Sequence, residues 1–477
     1  MLSVKYKSIL TTLAVLAGGT LCSQTSWAID PFNTEELTPA APQIYWNKPA
    51  TLTVTDTAAP TAALALPKKP LTLAELTDFA LRNSPDTRLA WYQAKAAAAN
   101  VGISESAYLP QLDAGFAGQY TASVFSSPHS SATTYGPNFS LNYLLLDFGN
   151  RSNTVLAAKY AQIAANLSQN TAIQQVILQV QQAYYQVLGQ QALVAANKLS
   201  LKQAKTSLDS AQALRQNGLA TIGDVYQAEA SYAQSNLDLQ TSEGNYQTAL
   251  GQLATAMGLP ANTSIRLVSL RQPPKIQALN RVVAGLLTVA KSNRPDLLAA
   301  EAKVRQSQAQ LAATRASILP TLSVTASTAP GGIFSNTTGT DTTATLTLSV
   351  PLFTGFSYTY NVRQAQAQVL AAQATRDQLN QQIQFQVWQS YYALQTAEQN
   401  IGTTEILLKS SLQASNQALG QYKSGVGDIL SVLTTQATLA SARVQNVQAK
   451  LNWYIALAQL AAAVGTLTSS SAQDLSL

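Results

Sequence analysis

Residues able to do covalent chemistry are scarce in this sequence, and those present do not gather. The one histidine, His129, lies in a polar loop, and the one cysteine, Cys22, lies close to the N-terminus. They supply neither a set of metal ligands nor a nucleophile with its base. The 23 Asp and Glu residues show no catalytic-looking pair, and apart from Glu35-Glu36 they occur singly. Gly331-Gly332 is not followed by a helical pattern, so it is no phosphate loop. No enzymatic activity, cofactor or metal centre is expected. The formal charge of +6 is scattered and includes Lys5 and Lys7 of a leader-like start. Without a basic stripe or stacked aromatics it does not point to nucleic acid.

Only 11% of the 477 residues are charged, against about 25% in a typical soluble chain. Ala, Gln, Ser and Thr fill the sequence instead. Residues 1–28 read as a signal peptide, with Lys5 and Lys7 as the basic region. The run SILTTLAVLAGGTL is its apolar stretch, and Ser26-Trp27-Ala28 puts small residues before the cut. Gly19-Thr20-Leu21 before Cys22 does not suit lipid attachment. An exported chain without cysteine is therefore expected, held together without disulfides. No later run reaches the roughly 18 apolar residues of a membrane helix, so any membrane crossing would be made by β-strands.

Residues 29–70 carry seven prolines and read as an extended arm. Thr72 and Glu75 then form a capping box for a first helix. Asn83-Ser84-Pro85-Asp86 starts a second, which runs to Tyr108-Leu109 before Pro110. Leu112, Ala114, Phe116, Gly118, Tyr120, Ala122 and Val124 alternate with polar or small residues. Tyr135, Phe139, Leu141, Tyr143 and Leu145 resume the alternation beyond His129. Two strands follow, each long enough to cross hydrocarbon when tilted.

Residues 150–214 hold no proline and, after the start, only Gly189. At ~1.5 Å per residue, such a helix reaches about 98 Å. Ile173, Ile177, Val180, Tyr184, Val187 and Val194 form a heptad seam along it, interrupted by Gln191. A turn at residues 216–224 leads into a return helix that ends near Met257-Gly258-Leu259-Pro260.

The pattern then repeats. Asn293-Arg294-Pro295-Asp296 and Ile318-Leu319-Pro320 echo their first-half counterparts 210 positions on, and Tyr391-Tyr392 echoes Tyr184-Tyr185 at 207. Leu322, Val324 and Ala326, then Leu346, Leu348 and Val350, alternate as two more strands. Leu352 to Phe356 open a second long helix, Tyr422 to Asp428 a second tip, and Ala463-Val464-Gly465 closes the unit. The expected organisation is a first repeat over 71–260, a connecting equatorial segment over 261–290, a second repeat over 291–467 and a tail at 468–477. Four strands cannot close a barrel, which needs at least about eight, so oligomerisation is expected. Three copies would give twelve strands, two only eight with little room inside.

With these elements in place the chain resembles the TolC-like outer-membrane efflux proteins, from about Leu71 to Leu467. The resemblance is carried by the duplicated Asn-x-Pro-Asp and Leu-Pro motifs, Gly149 and Gly355 at the long-helix starts, the tips NGLATIGDV and YKSGVGDIL, and the ending Ala-Val-Gly-Thr-Leu. It implies an α+β membrane protein. Each protomer would run helix, strand, strand, long helix, helix, twice over. A trimer would form a 12-stranded outer-membrane β-barrel continued by a periplasmic α-helical barrel. It further implies the exit duct of a tripartite efflux pump or type I secretion system. Such a duct works with a periplasmic adaptor and an inner-membrane transporter, and contacts outer-membrane lipid.

In the family the periplasmic mouth is tied shut between helix tips, and the tip aspartate and tyrosine fall on Asp224 and Tyr422. Gly218, Gly223, Gly425, Gly427 and Asp428 fall where an adaptor docks. A tip arginine of the family pattern is replaced by Gly427, and the acidic mouth residues of some members by Ser431 and Thr434. Helix capping by Asp224 or Asp428 and plain packing of Tyr422 are the alternatives. A periplasmic adaptor, with one helical hairpin and no duplicated strands, or a constitutive porin, with many strands and short turns, fits the pattern less well.

Overall fold

Thr72 and Glu75 close the box that starts the first helix: the Thr72 amide donates to Glu75 Oε2 at 2.9 Å, and the Glu75 amide to Thr72 Oγ1 at 3.4 Å. That helix, α1, spans Leu73–Asn83. The computed structural model describes residues 69–123, 130–268, 283–330 and 340–467. The expected leader, the arm up to residue 68, Val124, His129, Gly331-Gly332 and the tail lie outside the described residues.

Ser84 caps α2 (Pro85–Glu105), its side chain accepting from the Asp86 amide. The sequence pattern carried this helix to Tyr108, but it gives way at Glu105 to a 3₁₀ turn, Ser106–Tyr108. Pro110 forces the residue before it out of the helical region, and Leu109 is extended at φ −100°, ψ 150°. Strands β1 (Gln111–Ser123) and β2 (Ser130–Leu146) lead to α3 (Asn150–Gln216), and α4 (Ile222–Ala256) returns. The second half runs α5 (Val283–Asn293), α6 (Pro295–Ala316), β3 (Thr321–Pro330), β4 (Thr340–Ser349), α7 (Ser357–Lys423) and α8 (Ile429–Val464). Helices α3 and α7 are both 67 residues long, and α1 and α5 both 11. The segment expected to be a connector thus already holds α5 from Val283.

In the sheet-proximal half the helices lie in the order α2, α3, α6, α7; in the distal half the order is α4, α3, α8, α7. Helix α3 therefore packs on neighbours along both flanks. The heptad seam describes only part of this. Ile177, Val180, Tyr184 and Val187 are buried, but so are Val176, Tyr185 and Leu188, whereas Gln191 is exposed. Two rows of neighbours widen the buried stripe beyond a coiled-coil seam.

The main core lies at the equator, where α1, α3, α4, α5, α7 and α8 meet around Leu76, Leu253, Met257, Ile383 and Leu394. The duplicated Asn-x-Pro-Asp motifs build it. Asn83 Nδ2 donates to the Met257 and Gly258 carbonyls at the end of α4, and Arg294 Nη1 to the Ala463 carbonyl at the end of α8. Gly258 and Gly465 are left-handed, and a side chain on either would meet the Asn83 or Asn293–Arg294 backbone at about 3 Å.

Tyr185 and Tyr454 stack at the equator, centroids 4.8 Å apart, with Tyr184 edge-on to Tyr185. Burial pushes all three phenols above their usual range. The fold thus favours their neutral forms. Its stability is intact below the ordinary tyrosine pKa of about 10 and falls as pH rises through the higher folded values. In an alkaline titration these phenols should ionise together with loss of helical circular dichroism; ionisation with the helices intact would refute this account.

The sheet is an antiparallel meander, β1-β2-β3-β4, with both outer strands unpaired along one edge. Its register sorts the side chains. Leu112, Leu141, Ala326 and Ala344 lie in one row, and Tyr143, Val324 and Leu346 in the next. Asp113, Ser140, Ser327 and Thr343 form a row on the opposite face. A bulge between Leu144 and Leu146 sets Leu146 opposite Leu322 and Leu348, so the apolar face continues to the foot of the sheet.

Candidate functional site

Two helix tips, one per repeat, lie farthest along the chain from the sheet. Both close with the same device. Gly218 (φ 73°) and Gly425 (φ 76°) follow the ends of α3 and α7 in left-handed conformation. The Leu219 amide then donates back to Leu214 O, and that of Val426 to Gln421 O. The next helix is capped three residues further on in each case. In the first tip Thr221 is the cap and Asp224 reaches back, its Oδ2 accepting from the Thr221 amide at 2.8 Å. In the second tip the partners are exchanged: Asp428 is the cap, accepting from the Ser431 amide at 2.7 Å and the Ser431 hydroxyl at 2.9 Å. These bonds hold the Asp428 carboxyl below its usual range, the Ser431 amide first among them.

Asp224 and Asp428 are thus both capping residues. Gly223 lies inside the first turn of α4, without left-handed backbone, and so is not one of the turn glycines. Gly427 has a different reason to be glycine. A Cβ there would come within 3.0 Å of Gln421 Cβ and 3.1 Å of the Tyr422 amide nitrogen. Gly427→Arg, which restores the family's tip residue, should therefore distort this turn and loosen the tip rather than tighten it. The variant channel should show more open time in single-channel records than the parent; a tighter closure would show that the backbone can move aside.

Tyr422 packs in a small cluster with Ala211, Val225, Ala228, Ala418, Ile429 and Val432, which joins the two hairpins at their tips. It is only 4% exposed, and its hydroxyl has no hydrogen-bond partner among the described residues. Burial, and then the Asp224 carboxylate, push its pKa upward, so at neutral pH the hydroxyl is a donor. Asp224 and Tyr422 are neighbours in charge, though no hydrogen bond joins them in the isolated chain.

Residues that sequence reasoning passed over line the seam between α3 and α8 above this cluster. Gln436 Nε2 donates to Ser207 Oγ at 2.7 Å in a buried setting, and Arg443 Nη1 to Ser200 Oγ at 3.1 Å and Gln203 Oε1 at 2.9 Å. Burial lowers the Arg443 pKa, and no salt bridge joins it to a carboxylate among the described residues. A lone arginine in a nearly uncharged helix was the available signal, but its partners come from the other repeat.

At the opposite end, each long helix begins after a type I′ turn. The Asn150 amide donates to Asp147 O, and the Ser357 amide to Thr354 O, both at 3.2 Å. Phe148 (φ 49°) and Phe356 (φ 63°) take left-handed conformations here, at a cost of roughly 1–2 kcal/mol each. Arg151 is clamped by Asp147 and the Ala107 and Leu145 carbonyls, over the Tyr108 ring.

Among the described residues no cluster of side chains could hold a metal ion, and no helix is long and apolar enough to cross a membrane. A sheet apolar on one face and rich in hydroxyls on the other, mounted on long polar helices, defines a β-type membrane channel protomer with a helical extension. The model of outer membrane efflux proteins matches residues 76–259 and 286–466, and the chain belongs to that family. It is an efflux channel of the Gram-negative outer membrane with a TolC-like fold. Among curated relatives, Protein CyaE of Bordetella pertussis is 27% identical over 410 residues, covering 84% of this chain and 85% of that protein. Outer membrane efflux protein BepC of Brucella suis is 25% identical over 381 residues, covering 78% and 80%. The solved structure of the outer-membrane channel OprN superposes with a TM-score of 0.75 at 20% identity, over 82% of this chain and 89% of that one.

Proposed function

We propose that three copies of this chain form the exit duct of a multicomponent efflux or secretion system. The observation that carries this reading is the sheet with two unpaired edges, β1 and β4, and one apolar face. In hydrocarbon each unpaired backbone group costs several kcal/mol. Three sheets joined edge to edge supply twelve strands and remove every edge, with the hydroxyl-rich face lining the pore. The two helical rows, open along α2 and α4 on one side and α7 on the other, would close into a tunnel in the same operation.

Transport through the duct is passive, with energy supplied by an inner-membrane transporter reached through a periplasmic adaptor. The adaptor docks on the tips, on turns set by Gly218, Gly425, Gly427 and Asp428. Leu219 and Val426 support this. A residue at that position of the turn ordinarily packs back on its own helix, yet these two are 72% and 83% exposed. Asp224 and Tyr422 form the gate: the unpartnered hydroxyl is donated to the carboxylate in the closed assembly. Native mass spectrometry of the detergent-extracted protein should give three chains. A detergent-stable monomer that inserts into bilayers without conducting would defeat the three-copy duct.

A further inference from the structure

The strands and their loops are almost without charge, and the charge they carry is of one sign. Residues 111–146 and 321–349 contain no Lys or Arg and only two acidic residues, Asp113 and Asp341. Their register shows where they stand. Asp113 shares its row with Ser140, Ser327 and Thr343 on the hydroxyl-rich face. Asp341 falls one row further along the same face, opposite Ala329. The two also occupy the edge strands β1 and β4, one on each. Inward-pointing charges blunt a free sheet edge, but closing the barrel removes the edges and leaves the charges facing the pore.

Asp113 is exposed, and no hydrogen bond or ion pair ties its side chain among the described residues. In the next row Asn138 lays its side chain across Gly115, where a Cβ would come within 2.7 Å of Asn138 Oδ1. That oxygen accepts no hydrogen bond among the described residues. A free carboxylate and an unsatisfied carbonyl dipole, on diagonal positions of one strand pair, set one sign of potential along this face. The cations at the foot of the sheet, Arg151 and Lys159, are committed to Asp147 and Glu105. Walls of low dielectric focus such a field into the space between them. We propose that Asp113 is the charge selector of the barrel: a ring of three, one from each copy, favours the exit of cationic solutes and holds back anions. This rests on the reading of three sheets closed around the hydroxyl-rich face. One carboxylate across about 10 Å of water is worth a factor of roughly two, and three together bias cation over anion about five- to tenfold in dilute salt. At about 1 M salt, where screening acts within about 3 Å, the bias should vanish.

The test places one thiol in the row of Asp113, in the full-length protein with Cys22→Ser, held in lipid nanodiscs so that solvent reaches both ends. At Ser327→Cys the rates of a trimethylammonium and a sulfonate thiosulfonate reagent are compared, each divided by its rate with free mercaptoethanol. Leu346→Cys on the apolar face is the control. Adding Asp113→Asn should lower the cation-to-anion ratio at Ser327→Cys about five- to tenfold in about 10 mM salt, and leave it unchanged at about 1 M. Asp113→Lys should take the ratio lower still. A ratio that Asp113→Asn does not move, with Ser327→Cys reactive and Leu346→Cys protected, overturns the selector alone. So does a ratio already below one in the parent, as Arg315 and Arg363 of the adjoining helices would produce. Equal reactivity at both thiols removes the division of the sheet into pore and lipid faces, and the proposal with it. In planar bilayers under a potassium chloride gradient, Asp113→Asn should bring the reversal potential closer to zero; an unmoved potential overturns the selector role.

Discussion

Asp224→Ala combined with Tyr422→Phe is expected to turn a mostly closed, low-conductance pore into an open one in planar-bilayer recordings. A phenol donating to a carboxylate is a charge-assisted bond worth about 1.5–3 kcal/mol. In the proposed trimer three such ties, one per copy, would total at least about 4.5 kcal/mol, enough to move a closed–open equilibrium roughly a thousandfold. The single variants separate the tie from its surroundings. Asp224→Ala also removes half of a capping box, which by itself costs about 0.5–2 kcal/mol and frays the tip. Tyr422→Phe leaves the apolar cluster in place and deletes a hydroxyl that has no partner within one chain. If the hydroxyl acts only in the closed assembly, Tyr422→Phe raises open probability while leaving thermal stability unchanged or slightly improved. A steadily open parent pore that neither substitution alters would defeat the gate assignment and return the protein to a constitutive porin-like role. Because burial and Asp224 raise the Tyr422 pKa, closure should persist through neutral pH and past the ordinary phenol range. It should fail only above about pH 10, as the phenol ionises beside a carboxylate.

Leu346→Arg should reduce the amount of protein assembled in the membrane several-fold. Leu346 lies in the row of Val324 and Tyr143 on the apolar face and is 64% exposed in the chain. An arginine facing lipid costs about 0–1 kcal/mol near the interface and about 2–4 at mid-depth; one row in from the foot of the sheet the penalty lies between these, and the proposed trimer would carry it three times. Its neighbour Thr345 lies in the opposite row with Asn142 and Thr325, and Thr345→Arg should leave the amount of folded trimer in outer-membrane fractions within about twofold of the parent, since a lumen-facing charge alters selectivity rather than insertion. Equal loss of trimer in both variants would mean that the two faces are not divided between lipid and lumen.

Much of this architecture was open to direct reading because it repeats. Long proline-free runs, period-two alternation and motifs 210 positions apart each constrain a different level of structure, and they agree. The capping box at Thr72 and Glu75, the cap at Ser84 and the start of α3 at Asn150 were all visible, since caps and breakers act locally. The alternation in β2 was followed to Leu145 without a sign of the bulge that restores Leu146 to the apolar face. A bulge is decided by the partner strand, here β3, which lies far along the chain. The helical content of Val283–Asn293 was missed because no capping box like that of Thr72 and Glu75 marks its start.

By itself, the sequence determined most of the elements, their duplication and the two-sidedness of each strand. These follow from periodicity and residue chemistry within short windows. The tertiary structure alone decided what the marked residues do. Asn83 and Arg294 bond to helix ends more than 160 positions away, so no local pattern reveals why their motif is repeated. Gly427 is glycine because the Gln421–Tyr422 backbone lies against it, and Gly223, which looks the same in sequence, is an ordinary helical residue. Tyr422 could be read as a tip aromatic, but the isolation of its hydroxyl in an apolar cluster arises only when the two hairpins meet. Burial and partnership belong to surfaces brought together by the fold, and a linear pattern holds only one side of each.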